Sequence, residues 1–167
     1  RHGGFLVLGD HRPRKNGARL LAAHQLAQTR CDDLPALQFI GPPDHYVTEA
    51  AKQGLLQSCR ALVHVSLFEG FGMPVLEGLA QGAPVLCSDL PPHREIAGDC
   101  ALYADPQSVE SIATALVQIH KDEQLRWQLA ERGYQRASAR TPADHDCRPR
   151  EWVAHRNLRW RAAASAS

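Results

Sequence analysis

The chain predicts an α/β fold: a doubly wound, mostly parallel sheet covered by helices on both faces. Three observations support this. Short apolar, often β-branched runs recur at residues 5–8, 37–41, 61–66, 84–87 and 101–103, each ended by turn-forming residues. Between and after them, apolar residues fall at helical spacing, as in Ile112, Ala115, Leu116 and Ile119. The 167 residues, 44% hydrophobic and 22% charged, suffice for about one soluble globular domain.

In chain order, residues 5–8 form the opening strand, which ends at Gly9. The loop from Asp10 to Gly17 is basic and turn-rich, and the helix after it sets Leu20, Leu21, Ala23, His24 and Ala27 partly on one face. Residues 37–41 are a second strand, stopped by Pro42, Pro43 and Asp44, and a helix runs from about Tyr46 or Val47 to about Cys59. Residues 61–66 are a buried strand. A helix from Pro74 to about Gln81 follows, with Gly82 just past its end. Residues 84–87 are a strand, 88–92 a loop, and 93–97 a short helix closed by Gly98. A last short strand covers 101–103. Asp105 and Pro106 then lead into a helix with Ser108 as N-cap, and a second amphipathic helix extends from Asp122 to about Ala139. Trp127 and Tyr134 read as packing residues.

The informative stretch is residues 68–78. Gly70 and Gly72 flank Phe71, so the backbone can turn tightly there and let a ligand come close. Strand, glycine-rich loop and helix start follow one another. That order presents unpaired N–H groups and the positive end of a helix dipole, which suit an anion such as a phosphate. Two carboxylates, Glu69 and Glu77, bracket the loop and would repel a phosphate unless they accept hydrogen bonds from something else. Hydroxyl groups are the economical donors, and a phosphate flanked by polyhydroxyl groups describes a nucleotide sugar. The plain alternative is that both are solvated surface glutamates. The spacing Gly70-x-Gly72-x-x-Val75 departs from G-x-G-x-x-G and counts against a dinucleotide oxidoreductase.

The run Glu69-Gly-Phe-Gly-Met-Pro-Val-Leu-Glu77 resembles the glutamate–seven residues–glutamate signature of retaining, GT-B-fold glycosyltransferases of family four, the glycosyl transferases group 1. The resemblance continues through Ser88-Asp89-Leu90-Pro91, residues 93–99 and 101–106, and upstream through Leu8-Gly9 and Pro13-Arg14-Lys15-Asn16, spanning roughly residues 5 to 136. It implies the C-terminal donor-binding domain alone, the Rossmann-like half of a GT-B enzyme that transfers sugar from a nucleoside-diphosphate sugar. Lys15 matches a lysine that meets the diphosphate. The arginine usual just after the glycine is Asp10 here, which leaves Arg12 or Arg14 as replacements.

By the same resemblance, Gly9, Lys15 and the backbone N–H groups of Val75 and Leu76 hold the diphosphate. Glu69 contacts sugar hydroxyls with backbone help from Gly70, Phe71, Gly72 and Met73, and Glu77 contacts the ribose. Gly41, Pro42 and Pro43 wall a base site with Tyr46 as a stacking surface, unless the prolines merely break the chain. Glu69 and Lys15 are the expected catalytic residues. Ser88 and Glu95 lie near the ligand or shape its loop. No metal and no cofactor are expected, the nucleotide sugar being a substrate. The family also carries a strand–helix unit for which residues 28–35 leave no room, so one unit is missing. The acceptor domain would lie elsewhere in the same or another chain, and this chain alone would bind donor without transferring sugar.

A net charge of +1 argues against bulk nucleic acid as a partner. No apolar run approaches the roughly 20 residues of a membrane span, and no signal peptide is recognisable. Cys31, Cys59, Cys87, Cys100 and Cys147 lack zinc or redox spacing and read as reduced thiols, which points to the cytoplasm. The start at Arg1 reads as a fragment. Residues 1–139 form the nucleotide-sugar domain and 140–167 a basic tail, disordered or atypical, whose arginines with Trp152 and Trp160 would permit peripheral contact with the inner membrane face. Asp144-His145-Asp146-Cys147 fits no standard metal spacing. His64 reads as a core or rim residue, while His11 and His93 read as loop residues facing the site. None shows an acidic partner by sequence, so no general base is assigned. Two rival readings are a non-catalytic nucleotide-sugar module (a remnant, or the donor half of a two-chain enzyme) and a basic-tailed membrane-surface adaptor.

Overall fold

Among the described residues, five short strands hydrogen-bond into one all-parallel sheet in the order β2-β1-β3-β4-β5. They are β1 (Phe5–Leu8), β2 (Leu37–Ile40), β3 (Ala61–His64), β4 (Val85–Ser88) and β5 (Leu102–Ala104). The helices are α1 (Gly17–Gln28), α2 (Glu49–Ser58), α3 (Met73–Ala80), α4 (Pro91–Ala97), α5 (Val109–Lys121) and α6 (Glu123–Arg140), with a 3-10 turn at Pro13–Lys15. The computed structural model describes residues 3–9, 12–41 and 46–140, with Arg140 by its backbone alone. The readings placed on Asp10, His11, Pro42, Pro43 and residues 141–167, the tail and its Asp-His-Asp-Cys run included, lie outside the described residues.

Parallel strands covered on both faces should be apolar throughout rather than alternating. β3 and β4 are buried at every position. Phe5, Ala61, Val63, Leu86 and Ala104 pack against Leu20 and Ala23 of α1 and Ile112 and Leu116 of α5. Their sequence neighbours Leu6, Leu8, Leu62, Val85 and Cys87 point the other way, onto Leu56 of α2, Val75 and Leu79 of α3, Ile96 of α4 and Ala137 of α6. In α1, Leu20, Ala23, His24 and Ala27 are buried as the spacing predicts, but Leu21 is exposed.

The boundaries shift where capping chemistry was not recognised. α2 begins at Glu49 because Thr48 caps it, its Oγ1 accepting from the Ala51 N–H at 3.2 Å. α3 begins at Met73 rather than Pro74, with Gly72 as a left-handed cap. α4 includes Pro91 and Pro92, since a first turn needs no internal N–H bonds. Ser108 caps α5 as expected, accepting from Ser111 N–H. The predicted third strand over 61–66 stops at His64, leaving Val65 and Ser66 to lead the chain out of the sheet.

β2 pairs with β1 directly, Phe5 opposite Leu37 and Leu8 opposite Ile40, while β1 pairs with β3 on its other side. The strand order therefore reverses between β1 and β3. Ligands of open α/β sheets bind outside the carboxyl ends of the strands at such a switch point. The two loops that leave it carry Gly9, Lys15 and Glu69 to Gly72 of the predicted site residues, while Gly41 follows β2 and Met73, Val75, Leu76 and Glu77 lie in α3.

Asn16 ties these loops to the domain. It is buried, adopts φ 62° at the N-cap of α1, and its Nδ2 donates to the carbonyls of Val65 at 2.9 Å and Pro106 at 2.7 Å. Arg19 NH1 donates to its Oδ1 at 2.7 Å. Asn16→Ala strands the buried Val65 carbonyl and removes the nearer of two donors to Pro106 O, which Arg19 NH1 also reaches at 3.2 Å, and is expected to lower urea-unfolding stability by about 1–3 kcal/mol. A loss within the scatter of surface substitutions, about 0.5 kcal/mol, would contradict this bracing role.

Candidate functional site

Glu69 is buried to 9% exposure in the β3–α3 loop, and a carboxylate so enclosed needs partners. Lys15 Nζ, from the end of the 3-10 turn, lies 2.7 Å from Glu69 Oε1, and His64 Nε2, at the end of β3, lies 3.0 Å from the same oxygen. Oε2 meets Arg14 NH1 at 3.5 Å and keeps acceptor capacity. The His64 hydrogen bond first, and Lys15 after it, hold the Glu69 carboxyl well below the usual carboxylate range despite burial. The two residues expected to be catalytic, 54 positions apart, thus form one ion pair across the switch point.

Sequence reasoning assigned Lys15 and Glu69 to different parts of the ligand and gave His64 no acidic partner. Glu69 is that partner. His64 itself is almost wholly buried, and burial depresses its pKa more than the adjacent carboxylate raises it.

The helix start lies beside this pair. Gly72 has φ 92°, which disfavours any residue with a Cβ, and a Cβ there would stand 2.9 Å from His93 Cδ2. Gly70 lies outside the positive-φ region and its Cβ direction is open, so glycine is required at one of the two positions, not both. The N–H groups of Val75 and Leu76 both donate to Gly72 O, at 3.0 and 3.2 Å. The N–H of Met73, the first helical residue, has no acceptor available inside the helix. Phe71 and Met73 carry their side chains outward, 56% and 52% exposed.

His93 is not in a loop facing the site. It is an α4 residue with no exposed surface, its Nδ1 2.9 Å from Ser88 O. Ser88 is likewise buried, and its Oγ donates to Ser66 O at 2.6 Å. Both therefore brace the loops from below. Glu95 is exposed, and its carbonyl accepts from Arg136.

A second acidic position lies one helical turn along. Glu77 Oε1 meets Lys52 Nζ of α2 at 3.1 Å, and Lys52 also reaches Glu49 Oε2 at 3.0 Å. Burial alone would lower the Lys52 pKa, yet the two carboxylates hold it above the usual lysine value. These groups border a hollow of about 270 Å³ with Gly9, Gly41, Tyr46 and Pro74. Gly41, at φ 145°, would place a Cβ 2.3 Å from Gly9 O, so only glycine lets the two strand ends touch and floor the hollow. A wider, mainly apolar cavity of about 660 Å³ runs from Lys15 and His64 past Val7, Leu20 and Phe39.

The structure thus brings Gly9, Lys15, Gly41, Glu69, Glu77 and the start of α3 to one end of the sheet. Sequence reasoning missed Lys52, Arg14 as a Glu69 contact, and His64. No local signal marks Lys52, whereas a histidine closing the strand before the loop was a visible cue. Elsewhere, Cys31, Asp33 and His120 bring three metal-type ligands within 4.8 Å of one another. There Arg60 Nε donates to His120 Nδ1 at 3.1 Å, which leaves the ring proton on Nε2, pointing at Asp33 3.2 Å away. That tautomer suits a hydrogen bond from the neutral ring to the Asp33 carboxylate rather than a cation site.

Residues 44–136 match the family model described as glycosyl transferases group 1. The chain is 31% identical over 154 residues to an O-antigen chain mannosyltransferase B of Escherichia coli, a match covering 79% of this chain and 40% of that protein. It is 37% identical over 67 residues to the O-antigen chain mannosyltransferase RfbU of Salmonella typhimurium, covering 40% of this chain and 19% of that protein. This chain therefore spans two-fifths or less of these relatives. Among solved structures, the C-terminal domain of a glycosyl transferase group 1 family protein (LpcC) from Francisella tularensis superposes with a TM-score of 0.69 at 20% identity, over 83% of this chain and 85% of that one. Anabaena HepE, in complex with UDP and glucose, gives 0.66 at 18% identity, over 99% of this chain and 49% of that one.

Two expectations follow from the geometry. Gly72→Ala combines a strained φ with contact against a buried ring and should cost about 1–3 kcal/mol in urea unfolding, whereas Gly70→Ala should stay within about 0.5 kcal/mol. Equal costs would contradict the assignment. Burial lowers the pKa of both His64 and His93 from the ordinary 6.5, so the unfolded chain binds protons that the folded one resists. Stability should be full above about pH 6.5 and decline as pH falls toward the depressed folded values, read from the urea midpoint; a midpoint flat between pH 7 and about 5 would contradict it.

Proposed function

Because this chain belongs to the glycosyl transferases group 1 family, we propose that it is the donor-binding part of a glycosyltransferase that moves a sugar from a nucleoside-diphosphate sugar to an acceptor with retention of configuration. The observation that carries this reading is the Lys15–Glu69 pair facing the start of α3 at the switch point. A nucleoside diphosphate has a base, a ribose and two phosphates to be held in line, and the surface offers a seat for each. The hollow floored by Gly9 and Gly41 takes the nucleoside, with Tyr46 at its wall and Glu77 accepting from ribose hydroxyls. The Lys15 ammonium and the first-turn N–H of α3 meet the diphosphate, where they stabilise the charge that develops on the leaving group. Glu69 Oε2, the oxygen not held by Lys15 and His64, accepts from a sugar hydroxyl.

In the transfer, the bond from the anomeric carbon to the diphosphate oxygen breaks with its electron pair going to the diphosphate, and the acceptor oxygen bonds to that carbon. The residues of this chain hold the donor half of that event. The relatives' names support mannose as the transferred sugar. Since the chain spans 40% of the first of them, the acceptor site is assigned to the rest of such a protein, in the same or another chain, and this chain alone binds donor without turnover.

The completeness of the Glu69 ion pair favours a second reading, a non-catalytic nucleotide-sugar module in which Lys15 is only a structural lock. Calorimetric titration with GDP, UDP, ADP and their sugars separates the two. Lys15→Ala and Glu77→Ala should each weaken binding at least about tenfold, the worth of one charge-assisted contact. Lys15→Ala that loses stability but keeps its affinity would select the lock. Parent-like affinity in both variants would remove the residue roles altogether.

A further inference from the structure

Among the described residues, one buried side-chain nitrogen or oxygen has no hydrogen-bond partner, Nε2 of His93. Leaving a buried polar atom unpaired costs about 1–3 kcal/mol, so its presence calls for a reason. The tautomer is fixed by the neighbour of the other nitrogen. Nδ1 lies 2.9 Å from Ser88 O, a carbonyl that can only accept, so Nδ1 carries the proton and the neutral ring presents a bare lone pair at Nε2. That atom is aimed at the start of α3. A Cβ on Gly72, the helix cap, would stand 3.4 Å from Nε2, and glycine keeps the approach clear of a side chain. The start of an eight-residue helix and an unpaired, fully buried nitrogen thus converge on one spot.

We propose that His93 is a proton-accepting ligand for the donor diphosphate: when the diphosphate seats on the first turn of α3, Nε2 takes one proton from solvent and donates it in a hydrogen bond to a phosphate oxygen, while Nδ1–H stays on Ser88 O. The proposal rests on the donor-binding reading above. No covalent bond between heavy atoms forms or breaks, and the complex gains one positive charge beside the leaving group. The imidazolium offsets the charge that builds up as the nucleoside diphosphate departs.

The groups around the ring determine when that proton binds. From β3, the His64 ring stands edge-on with centroids 5.4 Å apart. Glu69 from the β3–α3 loop and Lys15 and Arg14 from the 3-10 turn lie just beyond His64. β4 offers the buried Cys87, whose thiol is pushed far up and stays neutral. The first turn of α3 holds no acid, and from α6 Arg136 reaches the α4 carbonyls of Ile96 and Glu95. On its own segment Arg94 is paired with Asp89 at 2.6 Å, and Glu95 is exposed. In the free protein burial first, then His64 and Lys15, hold the His93 pKa below its ordinary value against the raising effect of the Ser88 carbonyl and Glu69. A diphosphate at the helix start reverses that balance. His64 is not the natural seat for the proton, since its Nε2 already faces Glu69.

The test is titration calorimetry of the 167-residue chain with GDP, UDP and ADP in buffers of different ionisation enthalpy. Binding should take up about one proton at pH 7.5, and affinity should rise as pH falls from about 8 to 6. His93→Asn, whose amide can still donate to Ser88 O, should bind about tenfold more weakly, without proton uptake and with a flat pH profile, while its urea midpoint shows it folded. Binding without proton uptake, or uptake that persists in His93→Asn, overturns the proposal. Uptake lost in His64→Asn but kept in His93→Asn moves the proton to His64 and likewise overturns it. Absence of binding by all three nucleotides would instead defeat the donor-binding reading, and this proposal with it.

Discussion

A carboxylate held at 9% exposure must be compensated, and the arrangement around Glu69 follows from that need. Lys15 and His64 share one of its oxygens, and Arg14 approaches the other. To supply Lys15, the chain after β1 must turn back over the sheet, and the Pro13–Lys15 turn together with left-handed Asn16 makes that turn. To supply His64, β3 must end beside the loop that carries Glu69. The pair therefore links the two loops that leave the switch point and fixes the distance between them.

Around that link the domain relies on close backbone approach. Gly41 lies against Gly9, and Gly72 against the His93 ring, each at a distance no side chain could share. Below them a layer of buried polar side chains bonds within the protein rather than to solvent: Ser88 to the Ser66 carbonyl, His93 to the Ser88 carbonyl, and the Ser66 hydroxyl to His64 Nε2. Such a layer specifies loop position at little net gain in stability, because each bond replaces one to water. This suits a surface whose work is to present charges and N–H groups in set places. The exposed Phe68, Phe71 and Met73 stand on the outer side of the same loop, where they leave the inner polar groups undisturbed.

Much of the fold was legible because it is local. Five apolar runs became five strands, and the helix between Ser108 and Asp122 was bounded by a recognisable cap. The boundary errors at Thr48 and Gly72 came from reading the first apolar residue or a proline as the start, and that at Pro91 from reading the two prolines as loop, where cap geometry decides. That Lys15, Glu69 and Glu77 would gather at one end of the sheet was legible, but their pairing was not. Lys15 and Glu69 are 54 residues apart, and Lys52 and Glu77 are 25 apart, so nothing local marks them as partners. His93 was expected both to begin the 93–97 helix and to face the site from a loop; Pro91 and Pro92 open that helix earlier, and it turns the ring inward. The family match is consistent with the motif around Glu69 and Glu77, and no helix among the described residues is long and apolar enough to cross a membrane.

The most direct measure of the account is a double-mutant cycle between Lys15→Met and Glu69→Gln, followed by urea unfolding of the 167-residue chain. A preformed, largely enclosed pair at 2.7 Å should show a coupling energy of at least about 1 kcal/mol, above the range of solvent-exposed ion pairs. Strictly additive effects, with coupling near zero, would mean that the two loops are not held together by this pair and would contradict the site built on it.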